Sequence, residues 1–452
     1  MVSKRITMGI AVLGLFGSLS AQTPMNLRNC MEYALAHSTQ KEIQRADYDD
    51  ALVQRREAIL RAFTPQVSAG TNAYSNFGRT IDPETNSYIS TTSFSNGYSV
   101  NAGITLFNGF TALNNIKIAK TAVKMGLTRE QQLNDEICLS VMQAYYNVVF
   151  QQKMKQVLSA QVATAQRNME LVTRQYEQGQ KGYADVAQIE ADLAEREYQL
   201  ITASNEENEA LLDLKAILLW NVDETLVIDT AIIQQQSSRS LEDTGSNPID
   251  LIAYAQTYQP EILLAKGQLE QAKYALRSAK GQFLPTLSLS GGWSTSYYTY
   301  PGNADYQAPS FSKQFRNNGG EYVQLSLSFP IYDRLSRHSN LRRKKNEYER
   351  ATSIYRQKVK DIEHEVTKAL QDCKGAQSAY IQAEKRLRVQ EVSFRLNEKK
   401  LAQGLISPIE YQTVANVYLN AKAEHLNAFL QYQLKQSTVR FYKGISYLEQ
   451  QK

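Results

Sequence analysis

Two hydrophobic periods alternate along the chain. From Leu158, apolar side chains recur at Leu158, Val162, Ala165, Met169, Val172 and Tyr176. Gaps of four and three residues place them on one stripe of a helix, the spacing of a coiled-coil seam. A second seam runs through Tyr411, Val414, Tyr418, Ala421, His425 and Ala428. Gln, Glu, Lys and Arg fill the positions between, as a solvated helix face requires. Proline is absent from 111–247 and from 331–407, so nothing there breaks a helix. One helix over 110–178 would be roughly 100 Å long.

Other segments alternate with period two. In 98–107, Tyr98, Val100, Ala102, Ile104 and Leu106 fall on one face, and Ser99, Asn101, Gly103 and Thr105 on the other. Segments 286–297 and 322–331 alternate in the same way, and 66–77 does so more weakly. Each is about ten residues long, enough to cross a membrane as a strand with one face to lipid and one to water. A half-buried strand of a soluble sheet shows the same alternation. Segments 78–97 and 298–321, rich in Gly, Ser, Thr, Asn and Tyr, are expected to be long surface loops.

These patterns occur twice, offset by about 220 residues. Phe63-Thr64-Pro65 matches Phe283-Leu284-Pro285, and Tyr176-Glu177-Gln178-Gly179 matches Leu401-Ala402-Gln403-Gly404. The expectation is a duplicated helix–strand–strand–helix unit, 22–247 and 248–452. It follows a secretory signal peptide at 1–21, where Lys4 and Arg5 precede a short apolar run and a small-residue end. Four strands cannot enclose a useful lumen, and open edges are not tolerated in lipid. Cyclic assembly is the usual remedy, and three copies would supply twelve strands. Geometry alone equally allows two or four copies.

Charge and composition exclude other classes. Without Lys4 and Arg5 the chain carries 48 basic and 45 acidic residues, too even a balance for a nucleic-acid binder. Cys30, Cys138 and Cys373 have neither disulfide-framework nor metal-site spacing. Cys30 follows Leu27-Arg28-Asn29, too polar a stretch for lipid attachment. His37, His338, His364 and His425 are scattered, and no phosphate-binding loop or nucleophile constellation occurs. The expectation is therefore no enzyme, no cofactor and no metal.

The duplicated order, the Phe-x-Pro before each strand pair, and the glycine-containing turns at 179–185 and 404–410 resemble the TolC family of outer-membrane efflux and secretion channels. The resemblance covers about Leu27 to Gly444. It implies a mainly α fold with a small membrane β part. Four transmembrane strands per chain would form a twelve-stranded barrel in a homotrimer, continuing into a long coiled-coil α-barrel in the periplasm. It also implies a passive exit duct for efflux or type I secretion, seated in outer-membrane lipid. The duct would couple to a periplasmic adaptor (a membrane fusion protein) and an inner-membrane RND or ABC pump.

By this resemblance the helix-turn tips, with Gly179, Gly182, Gly404, Ser407 and Pro408, would dock the adaptor. The first-turn acids Asp185 and Glu410 would lie at the periplasmic gate, with Thr413 at the next inward position. Leu401 and Ile406 stand where some members carry Tyr and Arg in a latch, so that latch does not carry over. Locally, both acids are equally well explained as partners of a helix dipole. A different class of protein, a soluble periplasmic coiled-coil scaffold or adaptor, is the alternative reading of the same helices.

Overall fold

The computed structural model describes residues 24–81, 86–230, 247–301 and 307–451. The expected signal peptide lies outside them. The elements run α1 (Leu27–His37), α2 (Thr39–Phe63), β1 (Gln66–Ile81), β2 (Tyr88–Asn108), α3 (Thr111–Glu177) and α4 (Tyr183–Leu218). They continue with α5 (Pro248–Tyr258), α6 (Pro260–Gly281), β3 (Thr286–Thr299), α7 (Phe311–Asn317), β4 (Gly320–Ser328), α8 (Ser336–Ala402) and α9 (Pro408–Tyr442). Both α3 and α8 are unbroken over 67 residues, as the proline-free spans predict.

The strands form one antiparallel sheet in the order β1-β2-β3-β4. Its register sorts the side chains into two faces. One carries the rows Val67–Ala102–Gly291–Val323, Ile104–Leu289–Leu325 and Phe107–Leu287–Leu327. The other carries Ser68–Asn101–Gly292–Tyr322 and Gly70–Ser99–Ser294–Gly320. On that polar face the Tyr322 hydroxyl donates to Asn101 Oδ1 at 3.1 Å. Glycine fits at 292, because a Cβ there would lie 2.8 Å from the backbone Val100 O as well as 2.6 Å from Asn101 Oδ1.

The structure corrects the strand limits in three places. A bulge at Leu106 shifts the register between Thr105 and Phe107, so Phe107, rather than Leu106, continues the apolar face. The β1–β2 pairing extends to Ile81↔Tyr88, into the segment expected to be loop. There both faces hold polar residues, so the backbone ladder continues without an alternating signal. β4 ends at Ser328 instead of Ile331, because Pro330 has no N–H to give to a ladder. The second expected loop also contains α7.

Below the sheet, α2, α3, α6 and α8 pack side by side in the order of the strands they adjoin. The junctions are tight. Gly109 and Phe110 take left-handed φ of 64° and 63° before α3, and Arg334 and Leu335 take 56° and 62° before α8. The same swivel thus occurs in both halves, once with glycine and once with a strained arginine.

The main apolar core lies where the short helices meet the long ones. Leu27, Cys30 and Met31 of α1 pack on Val141, Met142, Tyr145 and Val148 of α3, with Leu214 and Leu218 of α4. A second cluster joins Leu251 and Ala255 of α5 to Ile362, Val366 and Leu370 of α8 and to Val439 of α9. Cys30, Cys138 and Cys373 are free and buried in these clusters or beside them. Burial pushes the Cys30 and Cys138 thiols up to about 12, which leaves them as unreactive packing groups. His425 stacks near Tyr380 at 5.4 Å, and burial holds its pKa below the ordinary value.

Candidate functional site

The α3–α4 and α8–α9 turns share one backbone geometry. In the first, Gly179 N donates to Tyr176 O at 2.9 Å and Gln180 N to Gln175 O at 2.8 Å. In the second, Gly404 N donates to Leu401 O and Leu405 N to Lys400 O, both at 2.9 Å. This is the paired bonding of a Schellman end, which needs a left-handed residue after the helix cap. Gly179 and Gly404 supply it with φ of 74° and 72°.

The following helices begin with the predicted caps. Glu410 N donates to Ser407 Oγ at 3.3 Å, and Ser407 N donates to Glu410 Oε2 at 3.1 Å. That reciprocal pair is a capping box, with Pro408 at the first helical position. At the first tip Gly182 has no side chain to contribute, and only Gly182 N donates, to Asp185 Oδ2 at 3.2 Å. Each acid therefore holds its own helix start. Glu410 and Thr413 are exposed and Asp185 is half-buried. The Thr413 hydroxyl donates to Ile409 O at 3.0 Å. Pro408 is buried beneath its turn, whereas Gly179, Gly182 and Gly404 are exposed.

What lies beneath the tips differs. Leu401 and Ile406 join Tyr411, Ala415 and Phe394 in an apolar cluster, so the latch positions are packed. At the first tip Tyr176 and Tyr183 meet edge-on at 6.4 Å and both remain exposed. Leu405 and Ile409 are likewise exposed at the second tip.

Above the tips the two hairpins are joined by a buried charge. Arg196 of α4, 2% exposed, pairs with Asp192 at 3.1 Å and donates to Asn416 Oδ1 of α9 at 2.6 Å and to Gln199 Oε1 at 3.3 Å. Gln188 Nε2 donates to Gln412 Oε1 at 3.1 Å nearer the turn. Sequence reasoning missed this link. The available signal was that Asp192 and Arg196 occupy the same helical stripe as the buried Ile189, Ala203 and Ala210. A charged pair on an apolar seam needs a partner across it.

A sheet apolar on one face and polar on the other, standing on long hairpins with capped tips, is the build of an outer-membrane channel subunit. The chain belongs to the outer membrane efflux protein family, whose profile matches residues 37–218 and 251–444. It is similar to the outer membrane protein TolC of Vibrio cholerae serotype O1, 23% identical over 65% of this chain and 66% of the relative. It is also similar to TolC of Escherichia coli strain K12, 21% identical over 67% of this chain and 60% of the relative. The chain thus spans 60–66% of the length of these curated relatives. Among solved structures, the Campylobacter jejuni CmeC outer membrane channel superposes with a TM-score of 0.75 at 16% identity, covering 99% of this chain and 94% of that one. VceC of Vibrio cholerae superposes at 0.73, also at 16% identity, covering 94% and 96%.

The family places the chain in the bacterial outer membrane, with its helical part in the periplasm. It also decides against a soluble scaffold and against an enzyme.

Proposed function

We propose that three copies of this chain, each a duplicated unit of 22–247 and 248–452 behind a signal peptide, close one exit duct. β4 of each copy would pair with β1 of the next. The observation that carries this reading is the position of the edges. β1 and β4 are the outer strands, β4 is exposed at all nine residues, and α2 and α8 are the outer helices on the same two sides. An open edge in lipid leaves backbone groups unpaired at a cost of several kcal/mol each. The antiparallel order lets β4 meet β1 of a neighbour with the same alternation of faces. The polar rows then line the lumen, and the apolar rows face lipid.

The duct is passive and serves efflux or type I secretion. A periplasmic adaptor docks on the tips, and an inner-membrane RND or ABC pump supplies the driving force. The exposed Tyr176, Tyr183, Leu405 and Ile409 support docking there, because apolar groups at a water-facing tip favour a protein partner. Asp185, Glu410 and Thr413 would ring the entrance in three copies. Purified protein should be an oligomer in detergent, with cysteines placed on β1 and β4 cross-linking between chains. A monomer in plain buffer would overturn the assembly. Glu410→Ala should change cation selectivity or cation block of the reconstituted pore. An unchanged pore would remove Glu410 from the gate.

A further inference from the structure

The short helix α7 interrupts the connection between β3 and β4. Its sequence, Phe311-Ser312-Lys313-Gln314-Phe315-Arg316-Asn317, contains no acid. Phe311, Gln314 and Phe315, with Asn318 just beyond, recur at helical spacing and all turn toward the sheet. Gln314 is 4% exposed. Its carboxamide accepts from Tyr298 N at 3.0 Å and donates to Tyr298 O at 2.9 Å, as a neighbouring strand would. Asn318 Nδ2 donates to Ser296 O at 2.8 Å. Above Ser294, where β3 has no β4 partner, α7 therefore satisfies the edge of β3.

The phenylalanines locate the helix relative to the two faces. Phe315 lies 5.4 Å from Tyr98 and 5.5 Å from Trp293, and Phe311 lies 5.6 Å from Tyr297. Those three aromatics share the face of Val100, Leu287 and Leu289, which is the apolar one. Because Phe315 reaches Tyr98 on β2, α7 lies over the outside of the sheet rather than only at its edge. Its axial position follows from β4. Nine residues of β4 suffice to span the hydrocarbon as a tilted strand, and α7 sits just beyond their upper end. Trp and Tyr gather at that level, as they do at membrane–water boundaries.

The side of α7 turned away from the sheet carries Lys313 and Arg316, both exposed. Among the described residues neither joins an ion pair. Glu321, in register with Trp293 on the same face, is not bridged to either of them. Two uncompensated cations thus stand at headgroup depth on the lipid side of an aromatic belt.

We propose that α7 is an interfacial platform that binds the phosphate groups of outer-leaflet lipid through Lys313 and Arg316. This rests on the reading that the apolar sheet face meets lipid. Arg316 offers a planar fork for phosphate oxygens, and Lys313 a point charge beside it. Carried once per chain, the platform would ring the barrel at the level where β4 stops.

The test uses the full-length protein in detergent with bisphosphorylated lipid A as probe, read by native mass spectrometry. K313Q/R316Q should weaken lipid retention about thirtyfold without changing the oligomer, and K313R/R316K should restore it. Fully dephosphorylated lipid A should bind both forms equally weakly. Equal retention of the phosphorylated lipid by wild type and K313Q/R316Q, with an intact conducting oligomer, would overturn this inference alone. A protein that leaves with the soluble periplasm would overturn the membrane reading on which it depends.

Discussion

The two halves of the chain build the same shape from different chemistry. Before α3 the left-handed swivel is made by Gly109 and Phe110, and before α8 by Arg334 and Leu335. At the tips the second half has a serine cap and a packed cluster of Leu401, Tyr411 and Ala415. The first half has a glycine cap and exposed tyrosines. Along the seams, α9 offers Tyr411, Ala415 and Leu419, whereas α4 buries Asp192 and Arg196. The same backbone geometry thus recurs in both halves, while each half is held by its own contacts. The second tip is braced by a packed cluster beneath it, whereas both tips leave apolar side chains exposed at the turn itself.

The largest expected effect separates the two swivels. A Cβ on Gly109 would lie 1.9 Å from Gly281 O, so backbone must move. Gly109→Ala should nearly abolish the assembled oligomer in outer-membrane fractions. Arg334→Gly should instead stabilise the protein by about 1 kcal/mol, since it relieves a left-handed non-glycine residue. If Gly109→Ala assembles normally, the close approach of the two glycines is not structural.

The buried pair comes next. Arg196→Ala leaves Asp192 uncompensated and should cost about 3–5 kcal/mol in thermal or denaturant unfolding in detergent. Replacing both with leucine or methionine should recover most of the loss. A double variant as unstable as the single one would show that Asn416 and Gln199, rather than the charge pair, dominate the link.

The caps should differ by less. Ser407→Ala should cost about 1 kcal/mol. Gly182→Ala should cost less, about 0.5 kcal/mol, because no side-chain cap bond is lost there. Equal effects in melting temperature would contradict the asymmetry of the tips.

A separate effect is a pH dependence in the first-half core. Burial, and then Glu136 and Glu449, push the Asp135 carboxyl up from 3.8 to about 6. The folded state therefore holds a proton that the unfolded state releases, and this group's stabilising contribution falls as pH rises from about 4 to about 6. Asp135→Asn should raise the melting temperature at pH 7 and have little effect near pH 4. The opposite order would exclude desolvation as the dominant cause.

Much of this architecture was legible from sequence because its signals are local. The three-and-four spacing before Tyr176 marks α3, and four of its six positions, Leu158, Val162, Ala165 and Val172, are buried. The second seam is shifted partly out of phase from the spacing: Tyr411 and Ala421 are buried as expected, but Ala415 and Leu419 replace Val414 and Tyr418. The alternative stripe runs one residue over, and only the neighbouring helix chooses between them. Ser407-Pro408-x-Glu410 announces its helix start because a capping box is complete within four residues.

Local patterns in the chain carry the helical and strand periods, the repeated order of elements, the turn chemistry and the expectation of a channel seated in the outer membrane. Each is written in side chains within a few residues of one another or in a repeated pattern. Only the folded chain shows the bulge at Leu106, the seat of α7 against the apolar face of the sheet, and the bond from Arg196 to Asn416 across 220 residues. Those depend on which distant surface arrives opposite a given side chain, and no local period encodes that.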